Sequence, residues 1–303
     1  MTAKKLILHV GLHKTGTTAI QEFMERRVPW LHDHGALYIP LSQMRTDVTP
    51  LINNIEEWKR EAFQRFVGAQ RAPAIILSDE NIVGDSKDIL SGQFYPWLAA
   101  RLESIFTVPK PVKVELYVVI RELSKFLPSM YAEHIRHNDF VTFAAYCARF
   151  PLSEFSYFDH FAWLRDFKDR VGVHIVPFEN EHGGGVAFAA RDMLTTALGS
   201  LDGLDFGEFD RERVRPSFSA EEIELAATIA ERTDGRIARQ FLNNVDNFNK
   251  RFGKTRFDPL SDETKAMLTA RYADDLARLR KAGLMSGGTE QPMARAAGKP
   301  RAK

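Results

Sequence analysis

The stretch Leu6-Ile7-Leu8-His9-Val10-Gly11-Leu12-His13-Lys14-Thr15-Gly16-Thr17-Thr18 decides the fold. An aliphatic run of strand character passes into a short loop holding two glycines and a lysine. Behind it Ile20, Phe23, Met24, Val28 and Leu31 recur at helical spacing. A loop of this kind turns successive backbone N–H groups toward one point, and the helix start adds partial positive charge. Together they suit an anion such as phosphate. An ordinary tight turn with incidental glycines is the plainer alternative, but strand, loop, lysine and hydroxyl residues fall here in the order a phosphate cradle needs.

Three more aliphatic runs read as strands: Ala74 to Leu77, Val114 to Ile120, and Val173 to Phe178. Each is apolar almost throughout, the pattern of a strand covered on both faces. Between the second and third, Phe94, Trp97, Leu98, Leu102 and Phe106 recur at helical spacing. Strands alternating with helices predict an α/β fold with a P-loop-type parallel sheet flanked by helices. From about residue 186 the strand pattern stops. Ser219 with Glu222 has capping-box spacing, and Ser261 opens a last helix carrying Leu268, Tyr272, Leu276 and Leu279 on one face. The expectation is one α/β domain over residues 1–285, with 186–285 as a mainly helical C-terminal extension. Residues 286–303, rich in Gly, Ala, Pro and basic residues, read as a disordered tail.

Composition narrows the function. Of 303 residues 44 % are hydrophobic and 27 % charged, and Lys+Arg (41) against Asp+Glu (40) leaves a formal charge of +1. That balance argues against a protein that coats nucleic acid or an anionic membrane. A lone cysteine, Cys147, excludes an internal disulfide and any multi-cysteine metal site, and suits a reducing compartment. No apolar run reaches the roughly 20 residues of a membrane span, and the first residues lead into a strand. A soluble, cytoplasmic protein is expected.

Which phosphate cradle this is turns on one position. The nucleotide-kinase loop is Gly, four residues, Gly, Lys, then Ser or Thr. Gly11 and Gly16 keep that spacing, but Thr17 stands where the lysine belongs, and the lysine, Lys14, lies inside the loop. A triphosphatase without that lysine lacks the group that reaches the β- and γ-phosphates. Gly11 to Thr18 instead resembles the 5′-phosphosulfate loop of the sulfotransferases that use 3′-phosphoadenosine 5′-phosphosulfate (PAPS), in particular their bacterial and carbohydrate-modifying branch. The resemblance implies PAPS as co-substrate, with no metal. It implies that Lys14 touches the bridging oxygen of the leaving phosphate, and that Thr15, Gly16, Thr17 and Thr18 hold the 5′-phosphate.

The family's second signature is an arginine at a strand end with a serine eight residues on, binding the 3′-phosphate. Val118-Val119-Ile120-Arg121 followed by Ser129 matches it. Pro128 is tolerated at the first position of a helix, so the helix is expected to begin there and to put Ser129 in its first turn. In the same family a later segment closes over the 3′-phosphate, and Arg215 in Arg213-Val-Arg215-Pro-Ser217 is the residue assigned to it.

The run Ile75-Ile76-Leu77-Ser78-Asp79-Glu80 ends in two carboxylates. Within the resemblance Glu80 is the base that takes the acceptor's proton, and His13 in the loop is the second choice. Ser78 or Asp79 capping a helix is the structural alternative. The Asp-Glu pair after four hydrophobics also fits a magnesium-dependent P-loop kinase, the competing function, beside a nucleotide-binding protein without catalysis. The acceptor is expected to be a hydroxyl, less readily an amine, of a glycan, lipid or small molecule. The Gly183-Gly184-Gly185 run reads as a flexible turn, Arg136 as a solvated arginine, and His134 with His137 as surface or substrate-side histidines.

Overall fold

The computed structural model describes residues 4–54, 56–210, 217–248, 252–253 and 255–286. Five parallel strands form one sheet: β1 (Lys5–His9), β2 (Ala36–Tyr38), β3 (Ala74–Ser78), β4 (Lys113–Ile120) and β5 (Val171–Pro177). Their order across the sheet is β2-β3-β1-β4-β5, which puts β1 in the centre. The α/β expectation holds, and the four expected strands lie within a residue or two of their places. β2 is the fifth, a three-residue edge strand at Ala36–Tyr38 that the aliphatic runs did not reveal.

Each central strand feeds two cores because its side chains alternate between faces. Leu6, Leu8, Ile75, Leu77, Leu116 and Val118 pack to one side. Ile7, Ile76, Tyr117 and Val119 pack to the other, against α1 (Thr17–Glu25) and α5 (Val186–Leu198). The first side is covered by α2 (Glu57–Ala69), α3 (Leu98–Phe106) and α4 (Leu123–His137). The later helices α6 (Ala220–Arg232), α7 (Gly235–Asn247) and α8 (Asp262–Lys281) put Ile223, Ala238, Leu242, Leu268 and Tyr272 into that same core.

Local signals fixed several of these helices. Ser219 and Glu222 form the reciprocal capping box of α6, and the Ser261 hydroxyl accepts from Thr264 N–H at the start of α8. The first amphipathic run is split in two: α1 ends at Glu25, and Val28–Asp33 forms a separate short helix with Pro29 in its first turn. Phe94 and Trp97 precede α3, and Trp97 is exposed. In the triple glycine, Gly183 is open but Gly184 and Gly185 are tightly packed. A Cβ on Gly184 would run into the Pro177 carbonyl, and Gly185 (φ +98°) is the cap residue just before α5. No helix among the described residues is long and apolar enough to cross a membrane. Residues 287–303, most of the expected tail, lie outside the described residues.

Candidate functional site

Strand register places the site. His9 lies level with Ser78 on β3 and Tyr117 on β4, and Ile120 lies level with Pro177 on β5. The residues that follow these ends converge on one cleft of about 1470 Å³, as expected of a parallel sheet where its connections diverge. Val10 N–H and Leu12 N–H bond the carbonyls of Tyr117 and Val119, so the loop leaves β1 stapled to β4. Lys14 and Gly16 then take left-handed conformations, φ +64° and +81°. Gly16 precedes α1, and a Cβ there would collide with Val186 of α5. Only glycine meets both demands. Arg121 at the end of β4 donates from Nη1 to the Lys14 carbonyl at 2.9 Å, tying the two motifs together.

Within the loop the hydroxyls divide. Thr15 is fully buried, its hydroxyl donates to the Leu12 carbonyl, and it does not line the cleft. Its side chain holds the loop's shape, which leaves only its backbone to face a ligand. Thr17 and Thr18, in the first turn of α1, do line the cleft, and the buried Thr17 Oγ1 has no hydrogen-bond partner. Lys14 extends its ammonium into the cleft, 3.4 Å from Glu133 Oε2 on α4. Burial alone would raise the Glu133 carboxyl, but Lys14, Arg136 and His137 around it bring it down to about 2. Arg136 is buried between Glu133 and Asp246 of α7, a structural ion pair rather than a solvated arginine.

The second motif departs from expectation at its helix. α4 begins at Leu123, not near Pro128, and Pro128 lies in its interior. Leu123, Phe126, Leu127 and Met130 all bury themselves on one side, and that packing outweighs the missing proline N–H. Ser129 is therefore in the second turn, facing the cleft as a side chain rather than at a helix start. Arg121 stacks over Phe178 at 4.8 Å, and its buried Nε has no hydrogen-bond partner. Burial lowers its pKa, Glu179 opposes this, and the nearby Arg256 lowers it further. Arg256, held by an antiparallel bridge to Ser219, lines the same cleft. Two guanidinium groups facing one space mark a place for an anion. Arg215 lies outside the described residues.

The carboxylates after β3 have distinct surroundings. Asp79 is fully buried and caps the turn Glu80–Ile82 by accepting from Asn81 N–H, while its other oxygen accepts from Thr49 Oγ1 at 2.6 Å. The capping alternative thus holds for Asp79. Glu80 faces the cleft, gripped by Arg45 Nη2 at 2.7 Å and by Gln21 Nε2 at 3.2 Å. His13 also lines the cleft and stacks on Tyr95, with Nδ1 3.1 Å from the Tyr95 hydroxyl. Burial pushes the His13 imidazole below its ordinary value, against the pull of Glu80, Asp85 and Glu133.

His134 and His137 do not act together. His134 is buried against Tyr146, whereas His137 is exposed and pairs with Glu133. Burial raises the Cys147 thiol to about 12, away from reactivity. The sequence reading missed Glu133, Arg45, Tyr95 and Arg256. Glu133 alone carried a signal, standing one turn beyond Ser129. Comparison of the chain with protein-family models, with curated proteins and with solved structures gives no match.

Proposed function

We propose that this chain transfers a sulfuryl group from PAPS to an acceptor hydroxyl of a glycan, lipid or small molecule. One observation carries the reading: the Arg121 guanidinium binds the Lys14 carbonyl, so the cationic groups after β1 and β4 make one wall of one cleft. The residues suit a nucleotide phosphorylated at both ends. Thr17 Oγ1 near one end and Arg121 Nε near the other are buried polar atoms with no partner inside the protein. Lys14, Thr17, Thr18 and the N–H groups around Gly16 would hold the 5′ side, and Arg121, Ser129 and Arg256 the 3′-phosphate.

When bound, PAPS supplies the electrophilic sulfur. The acceptor oxygen bonds to sulfur as the bridging S–O bond breaks, and the electron pair leaves on the 5′-phosphate. Lys14 stabilises that growing charge, and Glu80, aimed by Arg45 and Gln21, takes the hydroxyl proton. The kinase alternative is the weaker. Thr17 occupies its lysine position, and both Asp79 oxygens are engaged by Asn81 and Thr49.

Calorimetric titration of adenosine 3′,5′-bisphosphate beside adenosine 5′-monophosphate tests the two-ended site. The bisphosphate should bind at least about tenfold tighter, equivalent to about 1.4 kcal/mol, and Arg121→Ala should erase the difference. Equal affinities in the native protein would contradict the proposal.

A further inference from the structure

His9, the last residue of β1, lies beneath the loop at 1 % exposure, and the mechanism above leaves it unused. Its Nδ1 is 2.8 Å from the hydroxyl of Ser78, its register partner on β3. Its Nε2 has no hydrogen-bond partner, and neither has Thr17 Oγ1. Both atoms border one point. A Cβ on Gly11 would stand 2.5 Å from Thr17 Oγ1 and 3.0 Å from His9 Nε2. Thr15 Oγ1 borders it too, its proton given to the Leu12 carbonyl and its lone pairs still open.

Two buried polar atoms left unmatched around one point are costly unless the working state pairs them. The chemistry assigns directions. A Ser78 hydroxyl that donates to Nδ1 leaves the ring proton on Nε2, which makes that nitrogen a donor. Thr17 Oγ1 and Thr15 Oγ1 are then the acceptors that border the same point, and of the two only Thr17 has a proton left for the cleft it lines.

We propose that His9 is a positioning residue: Ser78 donates to its Nδ1, and its Nε2–H turns the Thr17 hydroxyl so that the threonine proton meets an anion at the start of α1. The proposal rests on the sulfotransferase reading only for the identity of that anion, the 5′-phosphate of the nucleotide. Burial pushes the His9 imidazole down to about 4, so it serves as one donor and one acceptor throughout the neutral range. The relay reaches the base as well. Gln21 Nε2 donates to both the Ser78 carbonyl and Glu80 Oε2, so the end of β3 holds Glu80 and His9 together.

Long-range ¹H–¹⁵N spectra of histidine-labelled protein test this without ligand. The His9 signals, assigned by their loss in His9→Gln, should show the Nε2–H form, and Nε2 should shift in Thr17→Val. The Nδ1–H form, or an Nε2 signal indifferent to Thr17→Val, overturns the proposal. Affinity for adenosine 3′,5′-bisphosphate gives a second readout. His9→Phe should weaken it about tenfold, and His9→Gln, whose amide N–H reaches toward the Nε2 position, should recover it to within about threefold. The pair His9→Phe/Thr17→Val should bind no worse than Thr17→Val alone. Equal losses in the Phe and Gln variants, or additive losses in the pair, overturn it. If the native protein binds no bisphosphate, the sulfotransferase reading fails and the spectra alone decide the role of His9.

Discussion

Lys14 adopts a left-handed backbone, has its carbonyl tied to Arg121, and holds its ammonium at Glu133. A cation so fixed needs little rearrangement as charge develops on a leaving phosphate. Replacing Lys14 by Ala should therefore lower turnover by about 10²–10³-fold while weakening bisphosphate binding far less. Native turnover in that variant, measured with saturating donor, would remove Lys14 from the chemistry. Glu80→Gln should cost about 10²–10⁴-fold, and His13→Asn less, if the carboxylate is the base. The reverse ranking would move that role to His13. Most of these residues were legible because a motif groups them: His13, Lys14, Thr17, Thr18, Arg121, Ser129 and Glu80 all line the cleft. Thr15 does not, because a hydroxyl three residues past the Leu12 carbonyl bonds to it in so tight a loop. Arg45, Tyr95 and Arg256 were illegible because each reaches the site from a segment without a motif, and only the fold brings them near.

At the scale of elements, legibility followed length and burial. Strands covered on both sides write themselves as aliphatic runs, so β1, β3, β4 and β5 could be read. β2, the three residues after Gly35, is too short to show a period. Pro128 misplaced the start of α4 because a proline rule speaks only of local backbone cost, whereas the buried Phe126, Leu127 and Met130 decide the helix. Caps were read correctly where side-chain spacing specified them. Ser261→Ala should accordingly lower stability by about 1 kcal/mol through the lost cap on α8, seen as a lower denaturant midpoint at an unchanged slope. Gly16→Ala should cost about 1–3 kcal/mol or more, since it adds a left-handed strain to a collision with Val186. A Gly16→Ala protein as stable as the native one would contradict the loop geometry.

The whole molecule carries a pH signature. The unfolded chain takes a proton on His9 near pH 6.5, the folded chain only near 4. Stability from this group is fully present above 6.5 and is lost as pH falls toward 4, by about 1.4 kcal/mol per pH unit and about 3 kcal/mol in all. Denaturant midpoints between pH 7 and 4.5 should fall less steeply in His9→Gln than in the native protein. Parallel curves would mean that His9 is not buried as described. At this scale the parallel sheet was legible in the chain, since alternation of strands and helices predicts it, whereas the strand order that puts β1 at its centre was not. Which face of the sheet the later helices pack on was not legible either, because it depends on contacts between residues far apart in sequence. The central claim, that this cleft takes a nucleotide with a 3′-phosphate and a 5′-phosphosulfate, meets its most direct test in a thermal-shift titration. Adenosine 3′,5′-bisphosphate is compared with ATP, each with and without Mg²⁺. A ligand at about 100 times its Kd stabilises by about 2.7 kcal/mol, a shift of a few degrees in a chain of this size. A metal-independent shift with the bisphosphate and little with ATP is the predicted result. A shift with ATP and Mg²⁺ alone would contradict the sulfotransferase reading and put the kinase in its place.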